Sequence, residues 1–317
     1  MRMGSNIRAA LLLASVFAVP VGCAADTEID ATIELRPGSG GVWLNTSVLG
    51  VLPLSELDLS GKFHRDVRVD QILIQEGDDA VVVDHTWSES GELRGLVGDQ
   101  EVGGAAFLHS RWELTLQSDG GLEPATLFLS EVLQGDKGWR YVFTYDVGGG
   151  SFTALCDEDL EESGHAAVVI GDLTVDPITA DMEPRADTLY LACTSGAVGK
   201  AALWGYAPWT IGLDAFEAAV RMVRADYCGD GTSWTKPGTP IQIADVWGIH
   251  GFTDKIGQTE AFWGEGGAIC LSHPRAGGKV TCPGGDLPTC EAGAILSSEP
   301  GALLWTRLAP WSANRGH

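Results

Sequence analysis

Six cysteines, Cys156, Cys193, Cys228, Cys270, Cys282 and Cys290, lie in the C-terminal part of a chain that opens like an export signal. An even number of thiols behind such a signal predicts three disulfides, because exported chains fold under oxidising conditions. Many pairings are open to six cysteines, and nearness in sequence favours Cys156–Cys193, Cys228–Cys270 and Cys282–Cys290. Each bridge restricts the unfolded chain and stabilises the fold by ~2–4 kcal/mol. The rival reading is zinc, but no C-x2-C pair occurs and the closest spacing is C-x7-C at 282 and 290.

The export reading rests on the first two dozen residues. MRMGSNIR carries Arg2 and Arg8 and no acid. AALLLASVFAVPVG follows, apolar but short for a membrane span and without stop-transfer charges after it. It ends in Pro20-Val21-Gly22-Cys23. Gly before Cys at the end of such a run is the pattern of lipoprotein processing, in which Cys23 becomes the acylated N-terminus. Pro20 stands where Leu is usual, and the competing reading is an ordinary secretory signal cleaved after Ala24 or Ala25. The expectation is a signal over residues 1–22 and an exported protein, lipid-anchored at Cys23 in the outer membrane or periplasm, otherwise secreted. No later stretch is long and apolar enough to cross a membrane.

Charge narrows the partners. The chain holds 43 acidic and 20 basic side chains, a net charge of −23, with no basic cluster. That argues against nucleic acid and against anionic membrane surfaces, both of which need concentrated Lys and Arg. An envelope protein or a glycan is the expected partner.

The texture is mainly β. After a tether over residues 23–36, GVWLNTSVLGVLPL, QILIQ, DDAVVVDHTW and GAAFLHSRWELTLQ are β-branched and aromatic runs. Gly, Asp and Ser clusters part them, as in an antiparallel sheet system. RWELTLQ alternates, with Trp112, Leu114 and Leu116 on one face. SDGGLEPA marks a boundary between an N-terminal β region (37–120) and a second region (121–311). There the strand-like runs ATLFLSEVL, GWRYVFTYDV, SFTALC, HAAVVIGDLTV and DTLYLACT precede one or two helices. The fold class is therefore mainly β (α+β), with an antiparallel β N-terminal region followed by a disulfide-stabilised β-rich domain.

The strongest helix is LDAFEAAVRMVRADY (213–227). Phe216, Ala219, Val220, Val223 and Tyr227 share one face. Asp214 and Glu217 suggest a capping box, and Arg221 and Arg224 suit the later turns. Gly229 stands where a left-handed residue would end the helix. On this reading Cys228 leaves the last turn toward a disulfide, and SWTKPGTPIQIADVWGIHGF continues as a hairpin-like stretch.

RADYCGDG resembles the signature of the ADYC-domain proteins, a family of bacterial exported proteins. LACTSGAVGKAALWGYAPW (191–209), GTPIQIADVWGI (238–249) and FWGEGGAICLSHPRA (262–276) are similar to the same family. GVWLNTSVLG and SELDLSG resemble segments found ahead of that domain. The resemblance implies a compartment and a fold, and no known activity, substrate or cofactor. Relatives often carry a Cys just after the Gly-Lys and another about nine residues before the signature Cys. Here Ala201 or Ala202 and Ala219 hold those places, the paired loss expected of a structural bridge.

Chemistry is sparse. Cys228 at a helix C-terminus faces the wrong end of the dipole for a thiolate nucleophile. Asp226, Asp230 and Asp245 are candidates to gather a calcium ion, though D-x3-D-G lacks the EF-hand alternation. DEDLEESGH (157–165) is a second acidic run without ordered ligand spacing. GAVGK has two residues between its glycines and Ala after Lys, unlike a phosphate loop. No H-E-x-x-H or G-x-S-x-G occurs. His250, between Trp247 and Phe252, is the histidine of most interest. Trp43, Trp139, Trp204, Trp247 and Trp263 lie near glycines and suit either a core or a sugar-stacking platform. The candidate binding residues are thus Asp226, Asp230, Asp245, Trp247 and His250, with no catalytic residue assigned and calcium the one candidate ion. The favoured function is a binding or structural envelope module. The alternatives are a secreted hydrolase of envelope or prey polymers and a calcium-dependent adhesive module.

Overall fold

The computed structural model describes residues 32–34, 43–49, 52–77, 79–147, 150–159, 164–235, 239–252 and 257–309. The expected signal, Cys23 and most of the expected tether lie outside them, as does part of the acidic run at 157–165. Among the described residues strand predominates, at 48%, against 13% helix.

The chain enters at a short strand, β1 (Thr32–Glu34), whose partner comes late in the sequence. A long antiparallel sheet follows. Its strands are β2 (Glu56–Asp58), β3 (Val67–Glu76) and β4 (Asp79–Val82), then, after a three-stranded meander, β8 (Arg111–Ser118), β9 (Gly121–Gly135) and β10 (Gly138–Asp146), and finally β11 (Ala166–Val175) and β12 (Met182–Cys193). The meander is β5 (His85–Glu89), β6 (Glu92–Val97) and β7 (Gln100–Gly103). In space the long sheet runs β2-β12-β11-β10-β9-β8-β3-β4, with Thr153–Ala154 pairing β10 as a ninth strand. SDGGLEPA, read as a boundary, holds the turn between the paired strands β8 and β9.

Among the described residues three α-helices and a second sheet follow. The helices are α1 (Ala197–Ala201), α2 (Pro208–Ile211) and α3 (Leu213–Arg224). The second sheet comprises β13 (Pro240–Asp245), β14 (Gln258–Gly264), β15 (Gly267–Leu271) and β16 (Leu304–Leu308), in the order β1-β13-β16-β14-β15. The stretch after β13 is a loop, and β13 pairs with β1 and β16 instead of a local hairpin partner.

Burial explains which strands alternate. Trp112, Leu114 and Leu116 on β8 point into one core, and the residues between them do not, as in a sheet with one wet face. Ala166–Ile170 of β11 and Leu189–Cys193 of β12 are apolar throughout because both their faces are buried. Val169, Leu189 and Leu191 belong to the core under the first half of the sheet. Val168, Ile170, Tyr190 and Ala192 belong to the core shared with the helices and the second sheet. Ala201 of α1 and Ala219 of α3 are buried in that second core, where the two helices pack together.

The disulfides are Cys156–Cys193, Cys228–Cys282 and Cys270–Cys290. The first is the expected pair, and the other two replace Cys228–Cys270 and Cys282–Cys290. Nearness in sequence fails here because the chain doubles back after β15. The Leu271 N–H donates to Pro288 O, which brings Cys290 beside Cys270. Cys282 is left for the end of the helical segment.

Candidate functional site

The signature begins where α3 ends. The helix stops at Arg224, one turn earlier than the sequence suggests, and the left-handed residue that ends it is Ala225, φ 54°, four residues before Gly229. A non-glycine residue there costs of order 1–3 kcal/mol and persists only where its surroundings fix it. Those surroundings are specific. The Met222 and Val223 carbonyls accept from Arg275 Nη2 and Nη1 at 2.8 and 2.9 Å. The Ser233 and Thr235 hydroxyls donate to the Arg224 and Val223 carbonyls. The carbonyls a helix leaves open at its C-terminus are thus met by side chains from downstream loops. At the other end Gly212 is the N-cap, without a side-chain cap. Glu217, expected in a capping box, instead accepts the Met182 N–H at 2.8 Å and holds Arg221.

Asp226 organises the turn. It is 0% exposed. Its carboxylate accepts the Gly231 N–H at 2.9 Å, the Asp230 N–H at 3.2 Å and Arg221 Nη1 at 3.1 Å. Burial pushes its pKa above the ordinary value, although Arg221 and the two N–H groups pull the other way. Burial draws the Arg221 guanidinium down, but Glu217, Asp181 and Asp226 outweigh it and hold Arg221 above its usual value. Gly229 and Gly231 are required, since both have positive φ. A Cβ would lie 2.0 Å from Gly266 O at the first and 1.8 Å from Ile178 O at the second.

Tyr227 points into the core. Its ring stacks on Trp263 at 5.2 Å, its hydroxyl donates to Glu260 Oε1 at 2.7 Å, and it accepts the Arg275 N–H at 2.9 Å. Arg275 Nε lies 2.6 Å from the same carboxylate oxygen, with both side chains buried. Burial and the Glu260 charge raise the Tyr227 pKa far above that of a free phenol. The ADYC tetrapeptide is thus a left-handed helix stop, a buried turn cap, a core phenol and a disulfide half.

Asp245, Trp247 and His250 meet in a second cluster. Asp245 Oδ1 accepts the N–H groups of Trp247 and Ile249 at 2.9 and 3.0 Å. Its Oδ2 accepts the His250 N–H at 2.6 Å and the Tyr206 hydroxyl at 3.0 Å. His250 Nε2 lies 2.7 Å from Trp204 O, so it carries the proton and donates. Trp247 and His250 flank the Tyr206 ring. Phe252 sits apart, packed on Trp305. Among the described residues the hydrogen bonds of this cluster do not include Asp226 or Asp230. Among the described residues no group of three or more His, Cys, Asp or Glu side chains is placed to hold a metal ion. GAVGK is accounted for by packing. Lys200 is buried and its Nζ is 3.7 Å from Asp159, while a Cβ at Gly199 would meet Cys193 O at 2.2 Å.

A pocket of about 320 Å³ opens beside the Tyr206 turn. Trp139, Trp204 and Trp209 line it, with Ser90, Asp136 and Thr210 among its polar groups. The sequence singled out Trp139 and Trp204 and missed Trp209. Their three companions are elsewhere: Trp263 is buried in the core, Trp43 is exposed, and Trp247 packs on Tyr206. Trp209 has no glycine beside it in sequence, but Gly91 lies against it across the fold.

No helix among the described residues is long and apolar enough to cross a membrane. No curated protein and no solved structure matches the chain. A family model, the ADYC domain, matches residues 104–277, from the hairpin region of the long sheet to the Arg275 loop. With more than half its length matched and the signature turn built as described, the chain belongs to the ADYC-domain family.

Proposed function

We propose that this protein is an exported envelope lipoprotein, anchored at Cys23, whose ADYC domain serves as a binding or architectural module rather than an enzyme. The observation that carries the reading is how Asp226, Tyr227, Cys228 and Asp245 are occupied. Each is taken up by backbone N–H groups, a buried ion pair or a disulfide. A hydrolase working through Asp226, Asp230 or His250 needs a carboxylate or imidazole facing a substrate. Asp226 is buried, Asp230 caps the Thr232 N–H, and His250 spends its Nε2 proton on Trp204 O. Three disulfides fit a module that must persist outside the cell.

Two measurements test this. The mature N-terminus by mass spectrometry should be an acylated Cys23; an unmodified N-terminus at Ala24, Ala25 or Asp26 would remove the anchor. Thermal melts in calcium and in EDTA should coincide. A calcium-dependent rise would restore the adhesive alternative, since a ligand at 100 times its Kd adds about 2.7 kcal/mol.

A further inference from the structure

The Trp139–Trp204–Trp209 pocket belongs to no feature explained by the signature. Its walls come from four separate parts of the chain: Ser90 between β5 and β6, the turn between β9 and β10 with Trp139, Val168 of β11, and the segment from Ala202 to Thr210 that includes the wide turn and α2. Trp209 is 43% exposed, while Trp139 and Trp204 are half-buried. Glycines make room for them. A Cβ at Gly104 would lie 2.4 Å from the six-membered ring of Trp139, and one at Gly91 would lie 3.1 Å from that of Trp209. Gly205 turns the chain at φ 94°, between the walls contributed by Trp204 and Ala207.

We infer that this pocket is a binding site for an uncharged saccharide, one ring of a glycan chain. The inference rests on the reading of the protein as a binding module. Indole faces carry negative charge density, and the polarised C–H groups on one face of a pyranose pack against such a surface. The hydroxyl groups around the ring's edge need donors and acceptors at a pocket rim. Ser90 and Thr210 offer both, Asp136 accepts, and the neighbouring Lys137 balances the Asp136 charge. In a chain of net charge −23 this patch is locally neutral. An anionic ligand finds one cation there and an adjacent carboxylate, and a cationic ligand finds the reverse. Among the described residues Asp136 is the only acidic side chain lining the pocket. Glycoside hydrolysis ordinarily needs two carboxyl groups flanking the bond, so the site suits holding a sugar over cutting it.

The test titrates the full-length, disulfide-bonded protein with maltotetraose, cellotetraose and chitotetraose, and with choline as a cationic control. Tryptophan fluorescence and the indole N–H resonances are the readouts. At least one oligosaccharide should saturate, with Kd between about 10 µM and about 1 mM. W209A removes an exposed side chain and should weaken that binding at least tenfold with little change in the melting temperature. G91L, which crowds Trp209 from behind, provides a second variant and should weaken it likewise. The inference is overturned if no oligosaccharide saturates at about 20 mM, if W209A binds like the parent, or if only choline binds. In those cases the module reading still stands. If the bound oligosaccharide is recovered cleaved, both this inference and the module reading fall.

Discussion

The Tyr227 hydroxyl donates to the buried Glu260 carboxylate at 2.7 Å, and so ties the signature to the second sheet. The same oxygen accepts the Arg275 N–H, and Arg275 caps the end of α3. Helix, sheet and loop therefore share one phenol. Y227F keeps the ring on Trp263 but leaves the Arg275 N–H without that acceptor. It should cost ~1–3 kcal/mol, read as a lower urea midpoint with an unchanged slope.

Gly231 offers a sharper case. Its φ is 82° and a Cβ would meet Ile178 O at 1.8 Å, backbone that cannot swing aside like a side chain. G231A should cost ~2–4 kcal/mol, combining left-handed strain with displacement of the Ile178 loop. G212A serves as the control, because Gly212 also has positive φ, at 87°, yet nothing lies within 4 Å of its Cβ position. It should show the strain alone.

The mixed success of the sequence reading has physical causes. β8 announces its buried face because one side of it is wet. Ala166–Ile170 of β11 and Leu189–Cys193 of β12 are apolar on both sides, so composition marks them as strands but not which core each residue enters. α3 is legible from its period, but its end is not. The residues that stop it, Ser233, Thr235 and Arg275, lie downstream and arrive only in the folded state. Two of the three disulfide pairings fail in the same way, since the return of the chain after β15 decides Cys228–Cys282 and Cys270–Cys290, while Cys156–Cys193 is as expected. The sequence set Asp245 beside Asp226 and Asp230 and His250 between Trp247 and Phe252, whereas in the fold Asp245, Trp247 and His250 meet around Tyr206, which lies far upstream.

Asp58 gives a pH dependence of definite sign. Burial pushes its pKa up, but the Ser60 hydroxyl and N–H, the Lys62 N–H and Arg185 outweigh burial and set it below the ordinary 3.8. A carboxylate lowered in the folded state adds stability above its unfolded value and loses it as pH falls through the folded value. The parent should therefore lose more stability than D58N below about pH 4. Asp226 acts with the opposite sign. Its raised pKa means ionisation costs stability at neutral pH, and that cost is relieved as pH falls through its folded value toward 3.8. Urea midpoints of D58N and the parent across the acid range check the first claim.

The Cys228–Cys282 bridge closes a sequence separation of 54, against 20 for Cys270–Cys290. The chain-entropy relation assigns the longer loop about 4 kcal/mol and the shorter about 3 kcal/mol. C228S/C282S should therefore lower the unfolding free energy more than C270S/C290S.

The central claim is that the signature is a structural junction, with its cysteine committed to a disulfide. Peptide mapping by mass spectrometry, after proteolysis under non-reducing, thiol-blocked conditions, tests it most directly. The account predicts crosslinked peptides joining Cys228 to Cys282, Cys270 to Cys290 and Cys156 to Cys193. An alkylated, free Cys228, or a peptide joining it to Cys270, would contradict it.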